Sequence, residues 1–478
     1  MNMDRREFLR NTAALGGVYA GSALAGLAMP TLAEAFPTSG GMGIEEALHR
    51  LNEGKKKNIM PIVRPEIVNN PRAVFLIETH VNVPRDDRGF FSGARQELEA
   101  IGRKIAGDIF LKGSRRGGST LVKPNFTTVP ETVLSPAVGI NTSVDFVAGF
   151  IGGLREHGNT NVIVSDRGTT VRNHRETGIY GVLDRYGIDM IEAKYDEFEH
   201  YTKKELNWHR VPEPVVWKRI PTYRPIGDSD NVFINLAKLK CHNLGLTTLT
   251  LKNLQGAIPT AYGEFCVAWA SLPALMRQER NVDYDRDFNG DFQERIHALF
   301  LEHRAAGFKY WDYENYYPEF EKRGGWEAFR KIKNTPSSVR EFMNGIERLM
   351  WDEQWCQRAI DAATAITPSV NIIEGVIGRD GSGFDTGRDE LCNIILVGMS
   401  VYEVDAVGSY IMGHDPTELH YTRLAKERGL GENDPGRIEM YWIRDSGIVP
   451  VKSPAELKRF RLGVNMHTWT ETGERLFW

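Results

Sequence analysis

Chemically active side chains gather after an apolar segment near the middle of the chain. The segment NLAKLKCHNLGLTTLTLKNLQG spans residues 235–256 and contributes Lys238, Lys240, His242, Lys252 and Asn253. Because side chains alternate on an extended backbone, the first two lysines and the histidine face the same side. Ammonium groups bind carboxylate and phosphate, and imidazole exchanges protons near neutral pH. The segment predicts one wall of an anion pocket, with His242 and Lys240 as catalytic residues. The alternative is a solvated strand end.

Two further segments place polar residues where predicted strands end. STLVKPN, residues 119–125, ends in Lys123 and Asn125, and TNVIVSDRG, residues 160–168, carries Asp166 after its apolar part. Ligands of parallel sheets bind beyond the carboxyl ends of the strands. We therefore expect Lys123 and Asn125 to bind the same anion as the lysines of the first segment. Asp166 is predicted to be catalytic, as a contact to a metal or a hydroxyl group.

A glycine-rich segment, EGVIGRDGSGFDTG at residues 374–387, follows another predicted strand. Its glycines allow backbone N–H groups to surround an anion, and Arg379 adds a cation to that site. The carboxylates of the segment suit a divalent metal ion instead. The predicted metal ligands are His242, Glu374, Asp380 and Asp385. A surface loop in which the glycines only form turns is the alternative.

A second metal motif, DRDFNGDFQERI at residues 285–296, resembles a calcium-binding loop. Its predicted calcium ligands are Asp285, Asp287, Asn289 and Asp291. Position 12 of such a loop is normally a bidentate glutamate, and here it is Ile296. The alternative is therefore a polar turn that leads into a helix.

Two residues near these motifs are assigned structural roles. Cys241 is adjacent to His242, but neighbouring residues on a strand point in opposite directions, so the cysteine is predicted to be a small core residue. Asp405 stands near the start of a predicted helix. It is predicted to stabilise that helix start through its negative charge.

The order of elements predicts an α/β fold with a mainly parallel sheet flanked by helices. Apolar segments such as residues 73–80 alternate with amphipathic segments of helical periodicity. A mostly helical, aromatic-rich insertion interrupts this alternation and offers a surface for a protein partner. The predicted divisions are 1–35 (signal peptide), 36–70 (extension), 71–260 (first part of the core), 261–365 (insertion), 366–444 (second part of the core) and 445–478 (tail).

The N-terminal residues carry the pattern of an export signal. Arg5 and Arg6 precede a weakly apolar stretch rich in Ala, Gly and Leu, which ends in the small-x-small pattern at Ala33 and Ala35. This pattern predicts a cleavable twin-arginine signal peptide, which the twin-arginine translocation machinery recognises. We therefore expect a periplasmic or extracytoplasmic protein. An uncleaved membrane anchor over residues 11–29 is the alternative.

Composition excludes several classes of protein. The net charge of −4 over 478 residues gives no basic face for nucleic acid. The four cysteines contain no C-x-x-C pair, so no iron–sulfur cluster motif is present. The sequence also lacks G-x-S-x-G, H-E-x-x-H, Walker A and dinucleotide motifs in suitable context.

Three stretches together resemble the family called domain of unknown function 362. They are LVKPNFT with VIVSDRG, NVFINLAKLKCHNLGLTTLTLKNLQGAIP, and NIIEGVIGRDGSGFDTG with IILVGMSVYEVDAVGSYIMGHDP. The chain departs from the family pattern at Ala237, Cys241 and Phe384. The resemblance implies the fold and a pocket, and it implies no particular activity.

Two hypotheses about function follow from these patterns. The first is an exported enzyme, metal-assisted in one version, that acts on a small anionic substrate. The second is an accessory subunit of an exported redox complex, which holds a cofactor or an anion without catalysis. The reaction, the substrate and the identity of any metal stay open at this point.

Overall fold

The computed structural model describes residues 62–87, 91–113, 118–126, 138–166, 178–188, 190–192, 206–228, 230–242, 245–259, 284–289, 345–381 and 387–463. The predicted signal peptide and the larger part of the predicted insertion lie outside these ranges. No helix within the described ranges combines the length and the apolar character that a membrane span requires.

A mixed, mostly parallel sheet forms the centre of the described chain. Its strands are β1 (Val74–Glu78), β2 (Thr120–Pro124), β3 (Val162–Asp166), β4 (Met190–Glu192), β7 (Val232–His242), β8 (Leu246–Thr247), β9 (Val370–Arg379), β10 (Asp389–Gly398), β11 (Met440–Arg444) and β12 (Gly447–Pro450). The spatial order is β12-β11-β1-β10-β9-β7-β2-β3-β4, and β8 pairs with β7. Strands β5 (Leu206–Arg210) and β6 (Arg219–Tyr223) form a separate two-stranded sheet. The predicted α/β class is confirmed.

The parallel part of the sheet determines where a site can form. Strands β9, β7, β2, β3 and β4 run parallel to one another, whereas β10 is antiparallel to both β9 and β1. Strands β2, β7 and β9 are buried along their whole length, which is typical of a sheet covered on both faces. Their carboxyl ends all lie at one edge of the sheet.

Helices cover both faces of this sheet. They are α1 (Pro65–Asn69), α2 (Arg95–Ile109), α3 (Val144–Glu156), α4 (Ile179–Tyr186), α5 (Thr250–Asn253), α6 (Tyr284–Asp287), α7 (Gly345–Ala365), α8 (Val401–Ile411) and α9 (His420–Glu427). One apolar cluster joins α7, α8 and α9 to Ala237 and Leu239 of β7. A second cluster joins α2 and α3 to Ile234 and Leu236 of the same strand. The alternation of β7 thus separates two helical layers.

Helices α2 and α3 approach each other closely because glycine lines their contact. A Cβ atom on Gly102 would overlap the carbonyl oxygen of Phe146, and one on Gly149 would overlap the carbonyl oxygen of Glu99. The backbones of α2 and α3 are therefore in direct contact, which larger residues at these two positions would prevent. This contact fixes the start of α3 beside the carboxyl end of β7.

Two predicted segments join the core in the described part of the chain. Helix α7 belongs to the predicted insertion, and its residues from Trp355 onward are buried in the first apolar cluster. Strand β12 belongs to the predicted tail and pairs with β11. The described part of the segment after residue 444 therefore adds an edge strand to the sheet.

Candidate functional site

Polar side chains converge where the parallel strands end. Leu236 of β7 pairs with Pro124, the last residue of β2, and β7 then continues to His242. Beyond that point Lys238 pairs with Glu374 of β9, after which the register shifts. The predicted anion and carboxylate residues of β2, β3, β7 and β9 thus lie at the same edge of the sheet.

A buried ion pair connects the ends of β2 and β3. The Lys123 ammonium group donates to Oδ1 of Asp166 at 2.9 Å, and both side chains are buried. The other carboxylate oxygen accepts from the backbone N–H of Phe126 at 2.6 Å. Gly256 lies against this pair, and a Cβ atom there would overlap both charged groups. This ion pair therefore joins the end of β2 to the end of β3.

Buried amide side chains extend from this pair across the sheet. We call Asn125, Asn235, Asn253, Asn371 and the Lys123–Asp166 pair the amide network. Oδ1 of Asn253 accepts from Lys123 at 3.0 Å and from Asn125 at 3.1 Å. Its Nδ2 donates to Oδ1 of Asn235 at 2.8 Å, and Asn235 donates in turn to Asn371 at 2.9 Å. Helix α5 is thereby tied to three strands.

A second ion pair lies on the opposite face of β7. The Lys238 ammonium and the Glu374 carboxylate are 2.5 Å apart, and both side chains are fully buried. The same carboxylate accepts from the backbone N–H groups of Val376 at 3.1 Å and of Ser143 at 3.4 Å. Since Ser143 immediately precedes α3, this pair joins β7 and β9 to the start of that helix.

Lys240 lies in the most positive part of the site. Its ammonium group donates to the carbonyl oxygen of Ile140 at 2.6 Å, and the side chain is buried. Burial lowers the pKa of Lys240 well below its ordinary value, and three other cations lower it further. These cations are Lys252, Arg379 and Lys238, and with Lys240 they form what we call the cation cluster. Asp166 acts in the opposite direction and raises the pKa.

A family model for a domain of unknown function, DUF362, matches residues 120–410 of the 478. The chain belongs to the DUF362 family. The matched part contains both the amide network and the cation cluster. Searches of curated proteins and of solved structures found no match.

The remaining predicted anion ligand of this DUF362 chain is held by a carboxylate. Arg379 pairs with Asp389 of β10 at 2.7 Å, and both side chains are buried. The other oxygen of Asp389 accepts from the backbone N–H of Gly139 at 3.2 Å. The guanidinium is therefore positioned from two sides at the strand edge.

The predicted metal ligands are not gathered in the described part of the chain. Asp380 accepts from the backbone N–H of Arg388 at 2.6 Å, and Glu374 is occupied by Lys238. Among the described residues, no group of three or more His, Cys, Asp or Glu side chains is arranged to hold a metal ion. Asp385 lies outside the described residues. The carboxylates of Glu374 and Asp380 thus have other contacts, and the metal set stays a prediction.

His242 is directed towards a helix. Its ring lies 6.5 Å from the indole of Trp355 on α7, with an angle of 12° between the ring planes. Trp355 also makes an edge contact with Tyr421 on α9. The imidazole thus packs in an aromatic setting at the end of β7, and its predicted catalytic role stays a prediction.

The predicted calcium residues have other contacts where the structure describes them. Asp287 is fully buried and pairs with Arg219 at 2.5 Å and with Arg286 at 2.8 Å. Asn289 donates through Nδ2 to the carbonyl oxygen of Pro214 at 3.2 Å. Asp291 and the side chain of Asp285 lie outside the described residues. The geometry of Asp287 favours the alternative, a polar turn stabilised by arginine.

The sequence predicted that Asp405 stabilises the start of its own helix, α8. The structure directs its carboxylate to another helix instead. Its carboxylate accepts from N–H and Oγ1 of Thr250 at 2.8 and 2.5 Å, and from N–H of Leu251 at 3.0 Å. Asp405 therefore caps α5, the helix that carries Lys252 and Asn253. The prediction was wrong because tertiary packing brings the middle of α8 to the start of a helix distant in sequence.

Other functional residues were missed because their partners are distant in sequence. Asn235 and Asn371 stand inside apolar strands, and Asp389 begins β10. A polar side chain in a buried strand requires a hydrogen-bond partner, so the two asparagines carried a usable signal. Cys241 is confirmed as a buried core residue, with Sγ 3.1 Å from the carbonyl oxygen of Leu462.

Proposed function

We propose that this DUF362 chain is an enzyme that binds a small anionic substrate where its parallel strands end. One observation carries the proposal: Lys240, Lys252 and Arg379 are all buried, and the positive charges of the last two lower the pKa of Lys240. Like charges in a buried site repel each other and are costly to desolvate. A bound anion would offset that cost.

The carboxylates near the cluster support this view, because cations already neutralise them. Asp166, Glu374 and Asp389 pair with Lys123, Lys238 and Arg379, respectively. Lys252 donates to Oε1 of Gln255 at 3.3 Å, and no carboxylate of the described residues forms an ion pair with it. Its positive charge is thus available to a ligand.

The start of α3 contributes further to an anion site. Its backbone N–H groups carry partial positive charge, and its N-cap residue is Ser143. Ser143 Oγ is buried and has no hydrogen-bond partner among the described residues. A buried polar atom of this kind indicates a ligand or a water molecule beside it. The lysine charges of the cation cluster and the N-terminus of α3 would therefore both attract an anion.

Lys240 is our candidate for proton transfer to and from the bound anion. It is held by the carbonyl oxygen of Ile140 beside the other cations. A lysine with a lowered pKa can accept and return a proton near neutral pH. Lys252 and Arg379 would bind the anion, and Asp166 would keep Lys123 in position.

Titration calorimetry at constant ionic strength tests the binding step. The probes are sulfate, inorganic phosphate and succinate, with succinamide as the neutral counterpart of succinate. We expect anions to bind and succinamide not to bind. Lys252→Met should weaken anion binding at least about tenfold, which corresponds to about 1.4 kcal/mol. Lys452→Met, at an exposed lysine after β12, is the matched control and should bind as the wild type does. Equal affinities in the two variants would refute the proposed site.

Isotope exchange tests the catalytic step. The wild type and Lys240→Met are incubated in deuterated water with a panel of small carboxylates and phosphate esters, and substrates are followed by NMR. We expect conversion or C–H exchange of at least one compound, and loss of that reaction in the variant. Anion binding without any such reaction would support the accessory-subunit hypothesis instead.

Export by the twin-arginine route is a further part of the proposal. It is supported by Arg5, Arg6 and the Ala33-x-Ala35 pattern of the sequence. In a bacterial host, cell fractionation should find the wild type outside the cytoplasm. Replacing Arg5 and Arg6 together by lysine should retain the protein inside, whereas Arg10→Lys should not. Unchanged export of the double variant would contradict this part.

A further inference from the structure

One side-chain oxygen at the strand ends is an acceptor without a donor. Asn125 is buried, with 3% of its surface exposed. Its Nδ2 donates to Oδ1 of Asn253 at 3.1 Å, whereas its own Oδ1 has no hydrogen-bond partner among the described residues. Buried acceptors without a partner are costly and uncommon. The atom therefore marks a place where a hydrogen-bond donor belongs.

The orientation of this amide is fixed by a charge. The Lys123 ammonium can only donate, and it donates to Asn253 at 3.0 Å, so the atom of Asn253 that it meets must be the oxygen. That oxygen in turn requires the N–H group of Asn125. Exchanging the oxygen and nitrogen of Asn125 would place two acceptor oxygens against each other. The partnerless atom is consequently an oxygen that accepts.

Asn125 is also joined to the segment that precedes α3. Its backbone N–H donates to Oγ1 of Thr142 at 2.9 Å, and its carbonyl oxygen accepts from the N–H of Thr142 at 2.9 Å. The next residue is Ser143, whose Oγ also has no hydrogen-bond partner among the described residues. Ile140 of the same segment accepts from Lys240. The two partnerless oxygens therefore belong to the framework that holds the cation cluster.

We propose that the anionic substrate carries a hydroxyl group, which donates to Oδ1 of Asn125 while the cation cluster binds the negative charge. This inference rests on the proposed function and narrows it to hydroxylated carboxylates or phosphates. An ammonium group is the other common donor, but the cations of the cluster would repel it. A hydroxyl group satisfies the acceptor without adding positive charge. Ser143 is the residue that can contact the same hydroxyl group or the anion.

The test compares matched ligands that differ only in the donor. Affinities of the wild type are measured by calorimetry for succinate, malate and aspartate, and for the smaller series propionate, lactate and alanine. A site that hydrogen bonds a hydroxyl group discriminates against the analogue that lacks it. We expect the hydroxylated member of at least one series to bind about tenfold more tightly, or better, than either of the other two.

Variants test whether Asn125 is the residue that gives the preference for the hydroxylated ligand. Asn125→Leu should abolish the preference for the hydroxylated ligand, and Ser143→Ala should leave at least part of it. Asn207→Leu is the matched control, because the amide of Asn207, in the separate two-stranded sheet, also donates to a side-chain oxygen, that of Asp228. This control should keep the full preference. The series on the wild type requires no variant, so it stands even if Asn125→Leu does not fold.

The outcomes separate the two proposals. If the wild type binds anions but does not distinguish malate from succinate or lactate from propionate, the inference is wrong and the anion site stands. Tighter binding of aspartate or alanine would overturn the choice of a hydroxyl group. If no anion binds, the proposed function fails, and this inference fails with it.

Discussion

Two polar regions of opposite character meet along β7. The amide network lies on the face that packs against α5, and its members are neutral amides around one balanced ion pair. Lys238 and Lys240 point to the other face, towards the start of α3. There positive charges accumulate, and the pKa of Lys240 is lowered. One region is held together by hydrogen bonds, whereas in the other the positive charges of Lys252, Arg379 and Lys238 act on the ammonium group of Lys240.

The difference suggests a division of roles between the two regions. A hydrogen-bonded network of amides fixes strands and helix in one arrangement. Repulsion between buried cations contributes nothing to folding, and local conflicts of this kind concentrate at functional sites. We infer that the amide network positions the site and presents Oδ1 of Asn125 to the ligand, and that the cation cluster binds the negative charge. Five predictions test this division, beginning with the largest expected effect.

Breaking the Lys238–Glu374 pair should cause the largest loss of stability. Lys238→Met leaves a fully buried carboxylate without its cation, which typically costs about 3–5 kcal/mol in the free energy of unfolding. Chemical denaturation measures the loss. The double variant Lys238→Met/Glu374→Met should recover most of it, because both charges are then absent. A single variant as stable as the wild type would mean that the pair does not anchor the cation cluster.

Asp405 should make stability fall as pH rises. Burial raises the pKa of Asp405 to about 7, from an ordinary 3.8, although its hydrogen bonds to Thr250 and Leu251 oppose this. The folded protein thus binds the proton more tightly than the unfolded chain does. The stabilisation is complete below pH 4 and is lost as pH rises to about 7, at a cost of about 4 kcal/mol. Asp405→Asn should remove this fall in denaturation measured from pH 4 to 8.

Two other titrating groups bear on this measurement. Tyr421 on α9 faces Asp405, and its pKa is raised well above its ordinary value by burial and by that carboxylate. It therefore stays protonated throughout the range. Burial lowers the pKa of His209 to about 4, which makes stability rise between pH 4 and 6.5 in both proteins. The difference between wild type and Asp405→Asn cancels that contribution, and a flat difference would contradict the prediction.

Removing the centre of the amide network should cost less than breaking the ion pair. Asn253→Ala deprives Lys123, Asn125 and Asn235 of hydrogen-bond partners. We expect a loss of about 2–3 kcal/mol in the free energy of unfolding, because buried polar groups then stay unsatisfied. Asn70→Ala, at an exposed asparagine that follows α1, should change stability by less than about 0.5 kcal/mol. Equal losses of stability in the two variants would show that the amide network does not stabilise the fold.

A single methyl group at Gly256 should disturb the Lys123–Asp166 pair. A Cβ atom there would overlap both charged groups, so we expect Gly256→Ala to lose about 2 kcal/mol by overpacking. The matched control is Gly181→Ala within α4, where a Cβ atom meets no neighbour within 4 Å. That control should gain stability, by up to about 1 kcal/mol, through helix propensity. A neutral Gly256→Ala would show that the pair can move freely.

The smallest effect on stability is expected in the cation cluster. Lys252→Met removes one of the charges that lower the pKa of Lys240. We expect the free energy of unfolding to change by less than about 1 kcal/mol, in the stabilising direction, because a repulsion is relieved. The same variant should weaken anion binding, so stability and affinity change separately. A loss above about 2 kcal/mol would place Lys252 in the structural region instead.

Much of the site was readable from sequence, because parallel strands have a fixed direction. Lys123 and Asp166 each stand at or near the end of an apolar strand, and such ends share one edge of a sheet. The structure joins Lys123 to Asp166 and Lys238 to Glu374 in two ion pairs. Residue type and position could not show that a cation already pairs with these carboxylates, and the metal set stays a prediction.

The sequence by itself determined the α/β class, the DUF362 family and the edge of the sheet at which polar groups gather. The periodicity of apolar residues and the residue types at strand ends depend only on neighbouring positions in the chain, so they can be read from the sequence. Only the tertiary structure decided that Asp405 caps α5, that Asn235 meets Asn253, and that three cations lower the pKa of Lys240. Those facts depend on which distant segments pack together, because packing supplies the hydrogen-bond partners. They also depend on burial, because electrostatic interactions are stronger in the protein interior than in water.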